Sequence, residues 1–347
     1  MSELRVVITD YTFPNLAVEE AAARRAGAQF IPNHCGSSEE VEAAVVGANV
    51  ALVQFAQFTA KAAAALAPGA TVIRYGVGCD NIDLAGAKAA GVQVGFVPDY
   101  CTDEVADHTA ASALTLLRKL KVLDRSVRDE EWAAVKHCQP MKPFKETVYG
   151  FFGFGQIGRA VHLRLRGFGF SFMASDPALS DSVAAELGVE LVDADTLFRS
   201  SDILSLHAPI TKATDGFVNA ARLASMQPHA VIVNSARGRL IKENDLADAL
   251  KVGQIGGAAL DVFEVEPLPS NSPLRDAPNL LFSPHAAWYS DAAIGKLQQL
   301  VADEIRRALA ANLRAVRCHC RNRSDFKRAM KGSFRFLVAQ FDCDAVS

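Results

Sequence analysis

Three short segments in the second half of the chain could together move a proton and hold an anion: VNSARGRL (233–240), LDVFEVEP (260–267) and FSPHAAW (282–288). Each follows a strand-like run, so each belongs beyond the carboxyl end of a parallel sheet, where open α/β folds bind ligands. Arg237 offers a planar guanidinium fork suited to a carboxylate and a carbonyl oxygen. His285 is the side chain whose ordinary titration range lies near neutrality, which suits a proton donor. Glu266 would orient that imidazole and favour its protonated form. Taken singly these residues prove little: a lone histidine after a Ser-Pro turn is more often structural, Arg237 also reads as a surface cation, and Glu266 as a helix or turn carboxylate. Their arrival on three successive strand ends favours the chemical reading.

A second constellation lies upstream. Gly153-Phe154-Gly155-Gln156-Ile157-Gly158 fits G-x-G-x-x-G, with a strand-like run (148–152) before it and a helical run (159–167) after it. Gly153 permits the tight turn, Gly155 the approach of a pyrophosphate to helix N-terminal amides, and Gly158 a close helix–strand contact. Asp176 ends the next strand-like run, where a carboxylate accepts from the adenosine ribose diol and repels a 2′-phosphate, so NAD is preferred over NADP. The competing reading of Asp176 is the start of an Asp-Pro turn with Pro177. A dinucleotide beside Arg, Glu and His implies hydride transfer to a carbonyl with proton delivery to its oxygen.

These sites need a scaffold of buried parallel strands. Strand-like runs at 4–9, 50–54, 71–74 and 92–95 alternate with Ala-rich helical stretches, including 16–26. A long amphipathic pattern follows Pro98, with Thr102 as its N-cap, Asp103 and Glu104 in its first turn, and apolar positions continuing to residue 120. A second alternating set has runs at 170–175, 203–207, 230–234, 257–261 and 280–283, then another amphipathic pattern after Pro284 carrying Ile294, Leu297, Val301, Ile305 and Ala308. The reading is α/β: two doubly wound parallel-sheet domains, a Rossmann dinucleotide-binding domain inserted into a flavodoxin-like substrate domain, where the insertion does not follow from the pattern and gains its weight from a family resemblance. The expected divisions are 1–98 (substrate domain, first part), 99–284 (NAD-binding domain), 285–312 (return to the substrate domain) and 313–347 (an atypical basic tail).

Composition narrows the function classes. Half of the 347 residues are hydrophobic and the formal net charge is −3, which describes a globular protein without a field for nucleic acid. From Leu313 onward eight Lys or Arg stand against three Asp, so the tail carries +5 and the remainder −8. Seven irregularly spaced cysteines do not form a disulfide framework, and Cys318-His319-Cys320 is a poor match to zinc spacing, so no metal is expected. No signal peptide or bilayer-spanning run is visible, and a cytoplasmic protein is expected. The tail reads as a poorly packed extension or as a translated-frame artefact.

From about Leu4 to Asn312 the chain resembles the D-isomer-specific 2-hydroxyacid dehydrogenases, most specifically through VNSARGRLIKENDLADALKVGQIGGAALDVFEVEP. Within that family RYGVGCDNID (74–83) and APNLLFSPHAAWYSDAA (277–293) resemble the C-terminal-binding protein branch of phosphoglycerate-dehydrogenase-like corepressors. The strand before the glycines, VYGFFGFG, is more aromatic than the aliphatic runs usual there. The resemblance implies that the catalytic set falls on Arg237, Glu266 and His285. It implies substrate contacts from Gly76-Val77-Gly78 and, in the corepressor-like branch, from Arg74 and Trp288. A helical turn would set Trp288 on the same face as His285, although interdomain packing is an equal reading for Trp288. The resemblance further implies cofactor contacts from Gln156, Ile157, Asp176, His207, Pro209, Ala236 and Asp261. It implies a homodimer built through the dinucleotide domain with 101–146 as an arm, a small 2-keto or 2-hydroxy acid as substrate, and no nucleic-acid or membrane partner. For His207 and Asp261 the alternative is a strand-end residue solvated in a loop. Two function classes follow: an NAD-dependent D-2-hydroxyacid dehydrogenase, or an NAD(H)-sensing corepressor-like scaffold whose turnover is incidental.

Overall fold

A computed structural model describes residues 3–318 of the chain, with side chains through residue 310. The 313–347 tail and its Cys318-His319-Cys320 run lie outside the described side chains. The described residues divide into two compact units, residues 3–100 with 291–318 and residues 101–290, so that the second is inserted into the first. Residues 285–290 cluster with the second unit, not with the first as the Pro284 boundary suggested, because the long returning helix starts only at Asp291.

The first unit runs β1 (Leu4–Ile8), α1 (Ala17–Arg25), β2 (Ala28–Pro32), α2 (Ser38–Ala44), β3 (Val50–Val53), α3 (Ala60–Ala65), β4 (Thr71–Arg74), α4 (Leu84–Ala89) and β5 (Gln93–Phe96). Its five strands are parallel in the order β2-β1-β3-β4-β5, the flavodoxin-like order. Parallel strands covered on both faces read as continuous apolar runs, and β3 (VALV) is buried at every residue. β2 escaped the sequence reading for the converse reason: as an edge strand it alternates between buried Ala28 and exposed Gln29 and carries no such run.

The second unit opens with α5 (Thr102–Leu117), α6 (Leu120–Arg128) and α7 (Ala134–Cys138). Helix α5 takes Thr102 as its first residue, with Cys101 in the capping position and no side-chain cap, so Thr102 is not the cap that its type suggested. The apolar pattern expected to run unbroken to residue 120 is interrupted at Lys119, whose φ of 51° ends one helix and opens the next. Then follow β6 (Val148–Phe152), α8 (Gln156–Leu165), β7 (Ser171–Ser175), α9 (Asp181–Leu187), β8 (Val189–Leu191), α10 (Ala194–Ser200), β9 (Ile203–Leu206), α11 (Ala220–Ser225), β10 (Val231–Asn234), α12 (Glu243–Lys251), β11 (Gly257–Leu260) and β12 (Leu280–Phe282). The seven strands are parallel in the order β12-β11-β10-β9-β6-β7-β8, with the reversal of winding between β6 and β9. The last helix, α13 (Asp291–Cys318), packs in the first unit against α1, β3 and β4, burying Leu297, Val301, Ile305 and Leu309.

Two apolar cores cover the two faces of the second sheet. One gathers Leu204, Leu206, Ile232, Leu246 and Leu260. The other is aromatic: Tyr149, Phe151, Phe154, Phe170 and Phe172 meet at ring-centroid separations between 4.8 and 6.1 Å, mostly tilted or edge-on. The aromatic strand noted in the sequence therefore packs with its own kind from β7.

Candidate active site

The glycine-rich turn forms at the winding reversal. Gly153 has φ +88°, and a Cβ there would lie 2.7 Å from Ala208 N, so only glycine allows β6 to turn this close to the end of β9. A Cβ on Gly158 would meet Gly153 O at 3.0 Å and His207 Cδ2 at 3.5 Å, which marks the close helix–strand contact. Gly155 differs, because a Cβ there would meet nothing within 4 Å. Helix α8 starts directly after it without a side-chain cap, leaving first-turn amides for an anionic ligand. Gln156 and Ile157 lie in that first turn. The space beside Gly155 and the uncapped helix fit a dinucleotide pyrophosphate.

Asp176 follows β7 and accepts from Phe154 N at 2.6 Å through Oδ2 and from Ala178 N at 2.8 Å through Oδ1. The Asp-Pro turn reading thus has a structural counterpart in the bond to Ala178 N, and the bond to Phe154 N shows that Asp176 also braces the glycine turn. His207 ends β9 half-buried, its Nε2 at 2.8 Å from Ser205 Oγ, and burial pushes its imidazole down to about 4. It is not a solvated strand-end residue. Pro209 is exposed and its carbonyl accepts from Thr214 Oγ1.

The three reaction segments leave adjacent strands in register: Asn234 of β10 pairs with Leu260 of β11, which pairs with Phe282 of β12. Strand spacing alone then sets the segments about 5 Å apart at their origins. Asn234, buried at the end of β10, shapes the first loop by donating to Arg237 O at 2.8 Å and accepting from Ala236 N at 3.1 Å. Ser235 Oγ is 2.5 Å from Thr109 Oγ1 of α5. Arg237 Nη1 donates to Ala236 O at 2.6 Å. Gly238 draws this loop onto the next: a Cβ there would fall 1.9 Å from the Phe263 carbonyl carbon, so the two backbones touch.

On the second loop Glu266 Oε1 accepts from Phe263 N at 3.0 Å, and Oε2 lies 2.6 Å from His285 Nδ1. The fold thus joins Glu266 and His285 directly. Glu243, at the start of α12, accepts from Glu264 N at 2.6 Å. Burial, joined by the charges of Glu264 and Glu266, raises its carboxyl above the ordinary carboxylate range. His285 has φ +52°, a left-handed conformation uncommon outside glycine and asparagine, and its N donates to Asp261 O at 2.8 Å.

Asp261 is 3% exposed, and its carboxylate accepts from Ser283 Oγ (2.6 Å), Ala286 N (2.8 Å) and Ala287 N (3.0 Å). His108 of α5 adds Nε2 at 2.9 Å from Ser283 Oγ. Asp261 therefore holds the histidine loop from beneath, an occupation absent from the sequence reading, as were those of Ser283, His108, Asn234 and Glu243. The detectable signal was a polar residue closing each buried strand: Asn234 after VIV and Asp261 after GAAL.

Trp288 lies in a turn, closed by Tyr289 N donating to Ala286 O at 3.0 Å, and stacks edge-on against Tyr289. Residues 285–288 form no helical turn, which corrects the expectation that helical spacing places Trp288 on the face of His285. In the first unit Arg74 ends β4 and its Nη1 donates to Tyr75 O at 2.6 Å. The side chain folds over buried Gly76, which has φ +136°; Val77 is exposed and Gly78 half-buried. Among the described residues no helix is long and apolar enough to cross a membrane, and no group of three or more His, Cys, Asp or Glu could hold a metal.

Residues 110–287 match the family described as D-isomer specific 2-hydroxyacid dehydrogenase, NAD binding domain. The chain is 37% identical over 238 residues to a glyoxylate reductase of Korarchaeum cryptofilum, covering 67% of this chain and 71% of that protein. It is 38% identical over 236 residues to a D-3-phosphoglycerate dehydrogenase of Synechocystis, covering 68% of this chain but 42% of that longer protein. Its fold is similar to that of D-lactate dehydrogenase from Aquifex aeolicus, complexed with NAD and lactic acid, with a TM-score of 0.80 and 23% identity over 90% of this chain and 97% of that one. With a glycine-rich turn at the winding reversal and a Glu–His pair on loops from adjacent strands, the chain belongs to the NAD-dependent D-isomer specific 2-hydroxyacid dehydrogenase family.

Proposed function

We propose that this protein interconverts a small 2-keto acid and its D-2-hydroxy acid, with His285 and Glu266 as the acid/base pair and Arg237 binding the substrate. The observation that carries this reading is the 2.6 Å contact between His285 Nδ1 and Glu266 Oε2. A carboxylate on Nδ1 selects the tautomer and orientation of the ring and stabilises imidazolium, assigning Nε2 to the substrate oxygen. Gly153, Gly155, Gln156, Ile157 and Gly158 would hold NADH, with Asp176 for its ribose and His207, Pro209, Ala236 and Asp261 as further contacts, and the bound cofactor would supply the hydride for the keto carbon. The Arg237 guanidinium grips the substrate carboxylate and polarises the carbonyl, and His285 delivers the proton to the developing alkoxide. In the oxidation direction His285 takes that proton back. The amides of Gly76, Val77 and Gly78, with Arg74 and Trp288, complete substrate recognition in this reading.

The partner in this reading is a second copy of the chain. The 101–146 segment exposes Trp132 at 92% and Val135 at 69% of their surface, apolar area that a dimer arm would cover. Steady-state reduction of glyoxylate, pyruvate and hydroxypyruvate with NADH tests the activity. Turnover that responds to His285→Ala supports it. Undetectable turnover across the panel, with NADH still bound, overturns it in favour of an NAD(H)-sensing scaffold.

A further inference from the structure

The helix that opens at the glycine turn carries a second basic face. Arg159, His162, Leu163 and Arg166 recur at one-turn spacing from α8, so they share one side of the helix, away from the Arg164 side chain that pairs with Asp103 and Asp107 of α5. Across from this face stand Phe172 of β7 and the end of α9, Glu186, Leu187 and Gly188. These eight residues line an open cleft of about 430 Å³, the size range of small-molecule sites.

Three observations distinguish this cleft from an ordinary solvated helix face. Among the described residues neither Arg159 nor Arg166 has a carboxylate partner, a state they share with Arg118, Arg199 and Arg275 of the same unit, but these two stand together on one cleft beside His162. Arg159 is nonetheless held in place, its Nε donating to Phe154 O at 3.1 Å and its guanidinium 6.0 Å from the Phe154 ring. His162 is only 7% exposed and makes no hydrogen bond among the described residues, although it lines the cleft. Its contacts are with rings, Phe172 at 4.6 Å edge-on and Phe154 at 5.9 Å. Its ring nitrogens are not sealed from solvent, so a ligand in the cleft can take the place of water on the imidazole edge. Burial, and next the charge of Arg166, lower its pKa, so it meets a ligand as a neutral ring with one N–H to give.

We infer that this cleft between α8 and α9 is a binding site for a small organic anion, with Arg159 and Arg166 on its carboxylate or phosphate and His162 donating to it from the floor. Glu186, the one acidic side chain of the lining, would repel a bare dianion but accepts from a hydroxyl or ammonium group next to the anionic centre. Phe172, Leu163 and Leu187 give a short carbon skeleton an apolar wall. The ligand class is therefore a hydroxy or amino acid, or a hydroxylated phosphate ester. The site is separate from the Gly155 amides and from His285, and the inference does not depend on the proposed activity.

The test follows the ring resonances of His162 in the full chain, labelled at histidine and assigned by His162→Gln, during titration with glycolate, acetate and glycerol 2-phosphate. The expected result is a saturable His162 shift in the wild type and in His285→Ala, weaker by about tenfold or more in Arg166→Gln. Glycolate binding tighter than acetate assigns the Glu186 contact, and tighter glycerol 2-phosphate identifies a phosphate ligand. Arg166 touches neither the glycine turn nor the reaction loops, so Arg166→Gln should retain wild-type NADH affinity and separate this site from the cofactor site. A His162 resonance unmoved by all three probes overturns the proposal. So does a shift that Arg166→Gln leaves unchanged, or a change of oligomeric state in Arg166→Gln without any anion dependence, which assigns the face to a second copy.

Discussion

Asp261 offers the sharpest separation between two roles for one residue. As a cofactor contact its loss should weaken NADH and leave the fold alone. As the buried clamp beneath His285 its loss should do the reverse. Asp261→Ala removes the acceptor for Ser283 Oγ and for the amides of Ala286 and Ala287. Ser283 retains His108 at 2.9 Å, so the main cost falls on the two amides. Leaving them unsatisfied costs about 2–4 kcal/mol in total, allowing for water at the half-buried Ala286. For a unit of this size that corresponds to roughly 5–15 °C in Tm. The same bonds hold His285 at φ +52°, a conformation that costs about 1–2 kcal/mol in an L-residue, so the loop relaxes once they are gone. A displacement of about 1 Å in the proton donor lowers kcat roughly 100-fold. Asp261→Asn, which keeps a single side-chain acceptor oxygen, should fall between wild type and Ala in both readouts. Thermal unfolding, NADH titration and single-turnover keto-acid reduction on the three proteins check the reasoning. An Asp261→Ala protein with wild-type Tm and a loss confined to NADH affinity would refute it.

Three further outcomes are expected. His285→Ala should lower keto-acid reduction by about 10²–10⁴-fold and Glu266→Gln by about 10–100-fold, both with NADH affinity near wild type; single-turnover kinetics with cofactor titration checks this, and equal losses of cofactor binding refute it. Because a Cβ on Gly155 meets no protein atom, Gly155→Ala should keep its Tm but bind NADH at least about tenfold more weakly, whereas Asp176→Ala should lose NADH affinity more than NADPH affinity and also some Tm through its bond to Phe154 N. His207 titrates near 4 when folded against an ordinary 6.5, so the unfolded chain binds the extra proton between those values and stability falls as pH drops through that window. Tm measured from pH 7 to 4 should slope less in His207→Gln, and an unchanged slope assigns the acid sensitivity elsewhere.

The chemistry-bearing segments were legible because their surroundings are regular. Buried parallel strands leave uninterrupted apolar runs, so Thr71–Arg74 and Val148–Phe152 could be bounded from sequence, and whatever follows such a run sits at the ligand-binding edge. The glycine turn was legible because its geometry crowds out side chains at Gly153 and Gly158. The strands β2 and β8 were not, since exposed and half-buried residues break both short segments and no apolar run forms. Helical spacing failed for Trp288 because the positive φ of His285 reverses the chain where a helix would have to begin. The amino-acid sequence by itself determined the alternating α/β plan, the dinucleotide turn and the three reaction segments, since these depend on local periodicity and residue type, whereas the insertion of one unit into the other is a matter of tertiary structure. Tertiary structure alone decided that Glu266 meets His285, that Gly238 presses the Arg237 loop onto Phe263, that Asp261 faces inward under the histidine loop, and that α9 closes a cleft over His162. Those contacts join segments distant in the chain, and only the registered strands bring them within reach of one another.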